Sequence, residues 1–169
     1  IQTIRALRRK KLLVIGDVIL DRYEWGSVER VSPEAPIPVM QVEEVDERPG
    51  GAGCVALNVV ALGGEATLAT VVGDDTEGHR LLRLLQQTGI STDFVVKEQQ
   101  RPTTVKTRMV GYVQSARRAT QHIMRVDRET ITPPSPQTLK TLIENLKKAI
   151  SEADIVLISD YAKGLIEKP

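Results

Sequence analysis

Polar or glycine-rich residues suited to holding a ligand lie at four places in this chain. The stretch GDVILD at 16–21 follows the apolar run from Leu12 to Ile15 and offers two carboxylates, Asp17 and Asp21. Each accepts two or more hydrogen bonds, which suits the adjacent hydroxyls of a sugar. For an isolated aspartate pair after a strand, a turn cap at Asp17 and a solvated Asp21 are the simpler reading. Further on, Gly50-Gly51-Ala52-Gly53 allows close backbone approach and aims free N–H groups at whatever sits there. Lys106 and Arg108 lie two apart in the alternating segment TTVKTRMVGYV, so they share a strand face. That face is a grip for a phosphate or carboxylate, or a solvated outer surface; spacing alone leaves both open. The fourth group, Asp160 and Lys163, follows a second apolar run, IVLIS.

These groups must be positioned by the elements between them. A short apolar run stopped by glycine predicts a buried parallel strand at 12–15, and ligands in open α/β sheets sit outside the carboxyl ends of such strands. Residues 22–48, with Pro33, Pro36 and Pro38, read as an extended edge-type excursion over the site. One exposed strand is expected at 39–45, and no second core strand. Val55, Val59 and Leu62 predict a helix closed by Gly63-Gly64. A buried strand at 67–73 leads to a helix begun by Asp74-Asp75-Thr76 and carrying Leu81, Leu82, Leu84 and Leu85. A short strand at 94–96 and the alternating strand at 103–113 come next. In the strand at 122–127, Arg125 and Asp127 share a face and fit a structural ion pair as well as a ligand contact. A helix over 136–151 is expected to bury Leu139, Leu142, Ile143, Leu146 and Ile150, ahead of another buried strand at 154–159. Residues 1–11 put Ile1, Ile4 and Leu7 on one helical stripe, with a basic run outside it. The alternation of strand and helix predicts an α/β fold with a doubly wound parallel sheet.

The 169 residues suit one domain with a sizeable core. A net charge of +1, with one Trp, three Tyr and one Phe, supplies neither a field nor a stacking platform for nucleic acid. There is no apolar run long enough for a membrane span and no signal-peptide core, which points to the cytoplasm. Cys54, the single cysteine, agrees with a reducing compartment. His122 lacks a Cys or second His at ligand spacing, so no metal site is read. A dinucleotide fingerprint would follow the first strand, where Gly16-Asp17 stands, so a nicotinamide enzyme is disfavoured.

Six segments taken in order, GDVILDRY, SPEAPIPV, RPGGAG with the following LN, PTTVKTR, RVD and SDYAKG, resemble the ribokinase-like (PfkB) sugar kinases. The resemblance runs along nearly the whole chain and is strongest to the branch acting on heptose 7-phosphate in lipopolysaccharide-core precursor synthesis. It implies ATP- and Mg2+-dependent phosphorylation of the anomeric hydroxyl, on a doubly wound, Rossmann-like sheet with a small β lid that also serves as a homodimer interface. Lid segments are expected at about 22–48 and 103–126. By position, Asp17 and Asp21 would serve the sugar hydroxyls and Gly50-Gly51 would admit the sugar to the backbone. Lys106 and Arg108 would reach in from the lid, with Asp160 and Lys163 where sugar and phosphates meet. Similar proteins carry Asn where Cys54 stands, and a thiol bonds weakly, so another sugar is the alternative substrate. A buried, inert thiol is expected there. The resemblance also implies that residues 1–169 are the N-terminal part of the kinase domain. The catalytic base and most of the ATP site are expected in a C-terminal half, and a non-catalytic sugar-phosphate-binding or dimerising module is the other alternative.

Overall fold

The computed structural model describes residues 8–112 and 119–166; the stripe expected over Ile1, Ile4 and Leu7 therefore lies outside the described residues. Among these, eight strands form two four-stranded sheets. The first is parallel and ordered β5-β4-β1-β8, from β1 (Lys11–Gly16), β4 (Glu65–Gly73), β5 (Ser91–Glu98) and β8 (Ile155–Ser159). Side-chain alternation along β1 explains why helices cover both faces. Leu12 and Val14 join a core with Ala56 and Val59 of α1 (Ala52–Ala61) and Leu81 and Leu85 of α2 (Thr76–Gln87). Leu13 joins a second core with Leu142 and Ala149 of α3 (Pro136–Glu152). The chain runs outward from β1 through β4 to β5, then returns to place β8 on the other side of β1. That reversal makes the carboxyl ends of β1 and β8 a topological switch point, where open α/β sheets hold their ligands.

The second sheet corrects the expected excursion. Residues 18–51 form a long hairpin of β2 (Val18–Val31) and β3 (Pro38–Gly51), and β2 pairs with β6 (Val105–Tyr112) on its other side. β2 is thus an interior strand of the order β3-β2-β6-β7, with β7 spanning Thr120–Arg128. The prolines misled because they sit where they cost no ladder bond: Pro33 and Pro36 in the connection, Pro38 at the start of β3, and Pro49 on an edge strand. Asp21 consequently lies within a strand, not in a loop beyond β1.

Two further expectations change. α3 buries Thr138, Leu142 and Ala149, while Ile143 and Ile150 are about half exposed; only Leu142 of the expected stripe is fully buried. β8 is not a buried strand: among the described residues it is a sheet edge, and Ile158 is 70% exposed. Continuous apolar runs encode a strand without telling which of its faces is covered.

Two polar junctions tie the sheets together. Glu47 of β3 accepts from Arg22 Nε at 2.8 Å and from Arg80 Nε of α2 at 2.6 Å. At the other root, Asp75 caps α2 by accepting from Gly78 N at 2.7 Å, and also takes Thr103 N and Thr103 Oγ1, at 2.9 and 2.7 Å. Thr103 Oγ1 in turn accepts from Gly73 N at 2.9 Å. Burial pushes the Asp75 carboxyl pKa up, but the Thr103 and Gly78 donors outweigh it and hold it below the usual value. Asp75→Ala is expected to cost about 2 kcal/mol in urea unfolding, combining a lost cap with a lost anchor for β6. Because the folded pKa is the lower one, this contribution is complete above the unfolded value near about pH 4 and fades as pH falls below it. The gap between wild type and variant is therefore expected to close on acidification.

Candidate functional site

Asp17 follows directly on Gly16, at the end of β1, and is 5% exposed. Its Oδ2 accepts from Tyr161 N at 2.9 Å and Lys163 N at 3.1 Å, so the carboxylate holds the loop after β8. The main chain at Asp17 is fixed as well: its carbonyl accepts from Ala52 N at 2.9 Å, and its N–H donates to Ser159 O at 3.2 Å. Gly51, at φ 57°, starts α1 directly beside it. A Cβ on Gly51 would stand 2.3 Å from the Asp17 carbonyl oxygen, so glycine is required for this crossing. At Gly50 a Cβ would lie 2.1 Å from Asp21 Oδ2. What approaches the glycine pair here is the protein's own aspartates.

Lys106, Arg108 and Asp21 meet on one face of the second sheet. Arg108 Nη1 donates to Asp21 Oδ1 at 2.6 Å, and its guanidinium lies 5.1 Å from the Tyr23 ring centroid. Arg48 covers the same ring at 5.5 Å, and Trp25 stacks on it at 6.2 Å. Lys106 Nζ donates to Asp127 Oδ2 at 2.8 Å and Glu129 Oε2 at 3.0 Å. Arg125 Nε meets Asp127 Oδ1 at 2.9 Å, which is the pair expected from the sequence. Lys163 Nζ completes the chain of charges by donating to Glu129 Oε1 at 2.9 Å. Glu129 thus joins the second sheet to the loop that Asp17 holds.

The electrostatics follow from those contacts. Hydrogen bonding from Lys163, then from Lys106, outweighs partial burial and keeps the Glu129 pKa low. Burial alone would lower the Lys106 pKa, yet Asp127 and Glu129 raise it. Asp160 Oδ1 accepts from Ala162 N at 2.8 Å and turns the loop without entering the charge chain. Cys54 is exposed on α1, contrary to the buried thiol expected, because it falls on the side of the helix opposite Ala56 and Val59; Asn58 Nδ2 lies 3.9 Å from its sulfur. Sequence reasoning missed Glu129, although its separation of two from Asp127 was the signal that both reach one face.

The match to the family model described as pfkB family carbohydrate kinase extends over residues 9–167. The chain belongs to that family. It is 43% identical over 162 residues to the D-beta-D-heptose 7-phosphate kinase of Bordetella bronchiseptica, covering 96% of this chain and 49% of that protein. It is 44% identical over 156 residues to the bifunctional protein HldE of Trichlorobacter lovleyi, covering 92% of this chain and 30% of that one. The chain therefore spans half or less of the length of these curated relatives. In fold it is similar to a possible 1-phosphofructokinase from Thermotoga maritima, with a TM-score of 0.66 at 17% identity over 93% of this chain and 47% of that one. A carbohydrate kinase from Agrobacterium tumefaciens gives a TM-score of 0.64 at 21% identity over 88% and 45%. The α/β, doubly wound, ribokinase-like fold expected from the sequence is borne out.

In this pfkB-family chain the charge chain centred on Glu129 spans two sheets, which gives it a mechanical reading. Glu129→Gln is expected to lower stability by about 1 kcal/mol at low salt, and the loss should shrink at high ionic strength, where partly exposed pairs are screened. Urea unfolding at low and at molar salt is the measurement.

Proposed function

We propose that this chain is the sugar-binding part of a kinase that phosphorylates the anomeric hydroxyl of heptose 7-phosphate with ATP, in the cytoplasmic synthesis of the ADP-heptose precursor of lipopolysaccharide core. The observation that carries the reading is the 43% identity to a heptose 7-phosphate kinase along 96% of the chain. The geometry supports it: Asp17, Asp160, Lys163, Glu129, Lys106 and Arg108 lie along the switch point of the parallel sheet and the face of the second sheet linked to it. On this reading the second sheet, residues 18–51 and 105–128, is the lid. Asp17 and Asp21 accept from sugar hydroxyls, and Lys106 and Arg108 exchange some of their carboxylate contacts for the distal phosphate. Gly50-Gly51, packed against Asp21 and Asp17, sets those aspartates for the sugar, and Cys54 borders it.

ATP would supply the phosphoryl group and Mg2+ would screen its charge. Among the described residues no group of three or more His, Cys, Asp or Glu side chains is arranged to hold a metal ion. The catalytic base and the nucleotide site are assigned to the remaining length of the relatives. The exposed Val42 and Val45 of β3, with Ile123, Met124 and Val126 of β7, support a homodimer through the lid. No helix among the described residues is long and apolar enough to cross a membrane.

Calorimetric titration of the chain is expected to show uptake of heptose 7-phosphate in preference to heptose, fructose 6-phosphate and ribose. Preference for another sugar phosphate would move the substrate within the family, and uptake of none would refute the reading. Asp17→Asn is expected to weaken binding by about 1.5–3 kcal/mol, the scale of a charged hydrogen bond. Lys106→Ala and Arg108→Ala should each narrow the preference for the phosphorylated sugar. In an ATP-consumption assay with Mg2+ the 169-residue chain is expected to stay at background beside the Bordetella kinase; turnover would place the base within these residues.

A further inference from the structure

Residues 160–164 carry Lys163 into the candidate site, and the loop is gripped from several sides. Asp17 takes the N–H groups of Tyr161 and Lys163. Gly164, at φ +88°, lies against the carbonyls of Ile131 and Thr132, where a Cβ would stand 2.5 and 2.6 Å from the two oxygens. The remaining grip is Arg101. Its Nη2 donates to Lys163 O and its Nη1 to Thr132 O at 2.6 Å, across 62 and 31 residues of sequence. The backbone of Arg101 passes close over the end of β4, where a Cβ on Gly73 would lie 2.4 Å from the Arg101 carbonyl oxygen. The side chain thereby bridges from β4, past β1, to the loop after β8. Asp17 fixes the N–H of Lys163 and Arg101 fixes its carbonyl, so both peptide units flanking the Lys163 side chain are set.

We propose that Arg101 is a positioning residue, holding the loop at 160–164 so that the Lys163 ammonium stands against Glu129 at the carboxyl end of the parallel sheet. Its importance for substrate rests on the function proposed above. A planar guanidinium suits the task because it presents several N–H donors in a fixed fork, and two carbonyls from different loops can be engaged together. An ammonium at the end of a lysine is a single point with rotating donors, and it does not reproduce that fork. Without Arg101 the part-buried Lys163 carbonyl and the exposed Thr132 carbonyl lose charged donors, and the loop keeps the Asp17 hold and the Lys163–Glu129 pair.

The test compares wild type, Arg101→Ala and Arg101→Lys in two measurements. In hydrogen exchange, the peptide covering 159–166 is expected to exchange about tenfold or more faster in Arg101→Ala, the effect of losing one or two charged hydrogen bonds, with β1 and β4 unchanged. Arg101→Lys should recover only part of this protection; because it keeps the positive charge, it carries both readouts if the alanine variant fails to fold. In calorimetry with heptose 7-phosphate, Arg101→Ala is expected to weaken binding about tenfold in the wild-type background and not further in Lys163→Ala, since two residues acting through one group are non-additive. Unchanged exchange at 159–166 would overturn the proposal. So would an equal loss in the Lys163→Ala background, which would mean that Arg101 acts by another route. A wild-type chain that takes up no heptose 7-phosphate would overturn the substrate, while the exchange measurement still judges the hold of Arg101 on the loop.

Discussion

The Asp17 carboxylate is the contact on which the site depends. It is nearly inaccessible to solvent, yet it faces two backbone N–H groups of a loop 144 and 146 residues away. A buried carboxylate is costly unless its lone pairs are met, and here peptide donors meet one of its oxygens. The position is fixed from the other side by the main chain: the carbonyl of Asp17 receives the first N–H of α1, and Gly51 gives way to let it. The ends of β1 and β8 and the start of α1 are therefore one unit. On the proposed function, a sugar hydroxyl would meet a cradle whose acceptor geometry is already set, which would lower the ordering cost of binding.

The second sheet relates to that unit by charge as well as by apolar packing, since Val18 and Leu20 of β2 and Val105 of β6 share the core of Leu12 and Val14. On one face Lys163, Glu129, Lys106 and Asp127 form a continuous run of alternating sign, and on the other Glu47 links Arg22 to Arg80 of α2. Such pairs have a modest net value where solvent reaches them. They hold an orientation yet can exchange partners, which is what the proposed uptake of a sugar phosphate would require. The Tyr23 ring between Arg48 and Arg108 fits the same picture, since an aromatic face keeps two guanidiniums near each other that would otherwise repel.

Much of the first sheet was legible in the sequence because it obeys simple periods. The runs at Leu12–Ile15 and Thr67–Gly73 read as buried strands, and the Asp75 cap and the Leu81 and Leu85 pair marked α2. What failed has a common cause. Periodicity reports that a face is apolar but not what covers it, so Ile143, Ile150 and Ile158 were expected inside although they are exposed. Prolines do not exclude a long hairpin here, because Pro38 and Pro49 sit on an edge strand that tolerates them. At the site, Asp17, Asp21, Lys106, Arg108 and Lys163 were visible as polar residues at strand ends or on one strand face. Glu129 was marked only by its spacing from Asp127, and Arg101 by nothing, because its partners, the carbonyls of Thr132 and Lys163, lie on loops that only the tertiary fold brings together.

The pairing of β2 with β6 is parallel and joins the β2–β3 hairpin to a strand made much later, so that Asp21 and Arg108, in contact, are 87 residues apart in sequence. This fixes an order of events on the ribosome. The β2–β3 hairpin emerges first and must wait, with one ladder edge unsatisfied, while β4, α2 and β5 are made. At roughly 5–20 residues per second that interval lasts several seconds, far longer than the microseconds a hairpin needs to form. Closure of the second sheet is thus a late, high-contact-order step. Until it occurs, the nascent chain presents an open strand edge, the kind of surface that chaperones shield and that neighbouring chains on a polysome can capture.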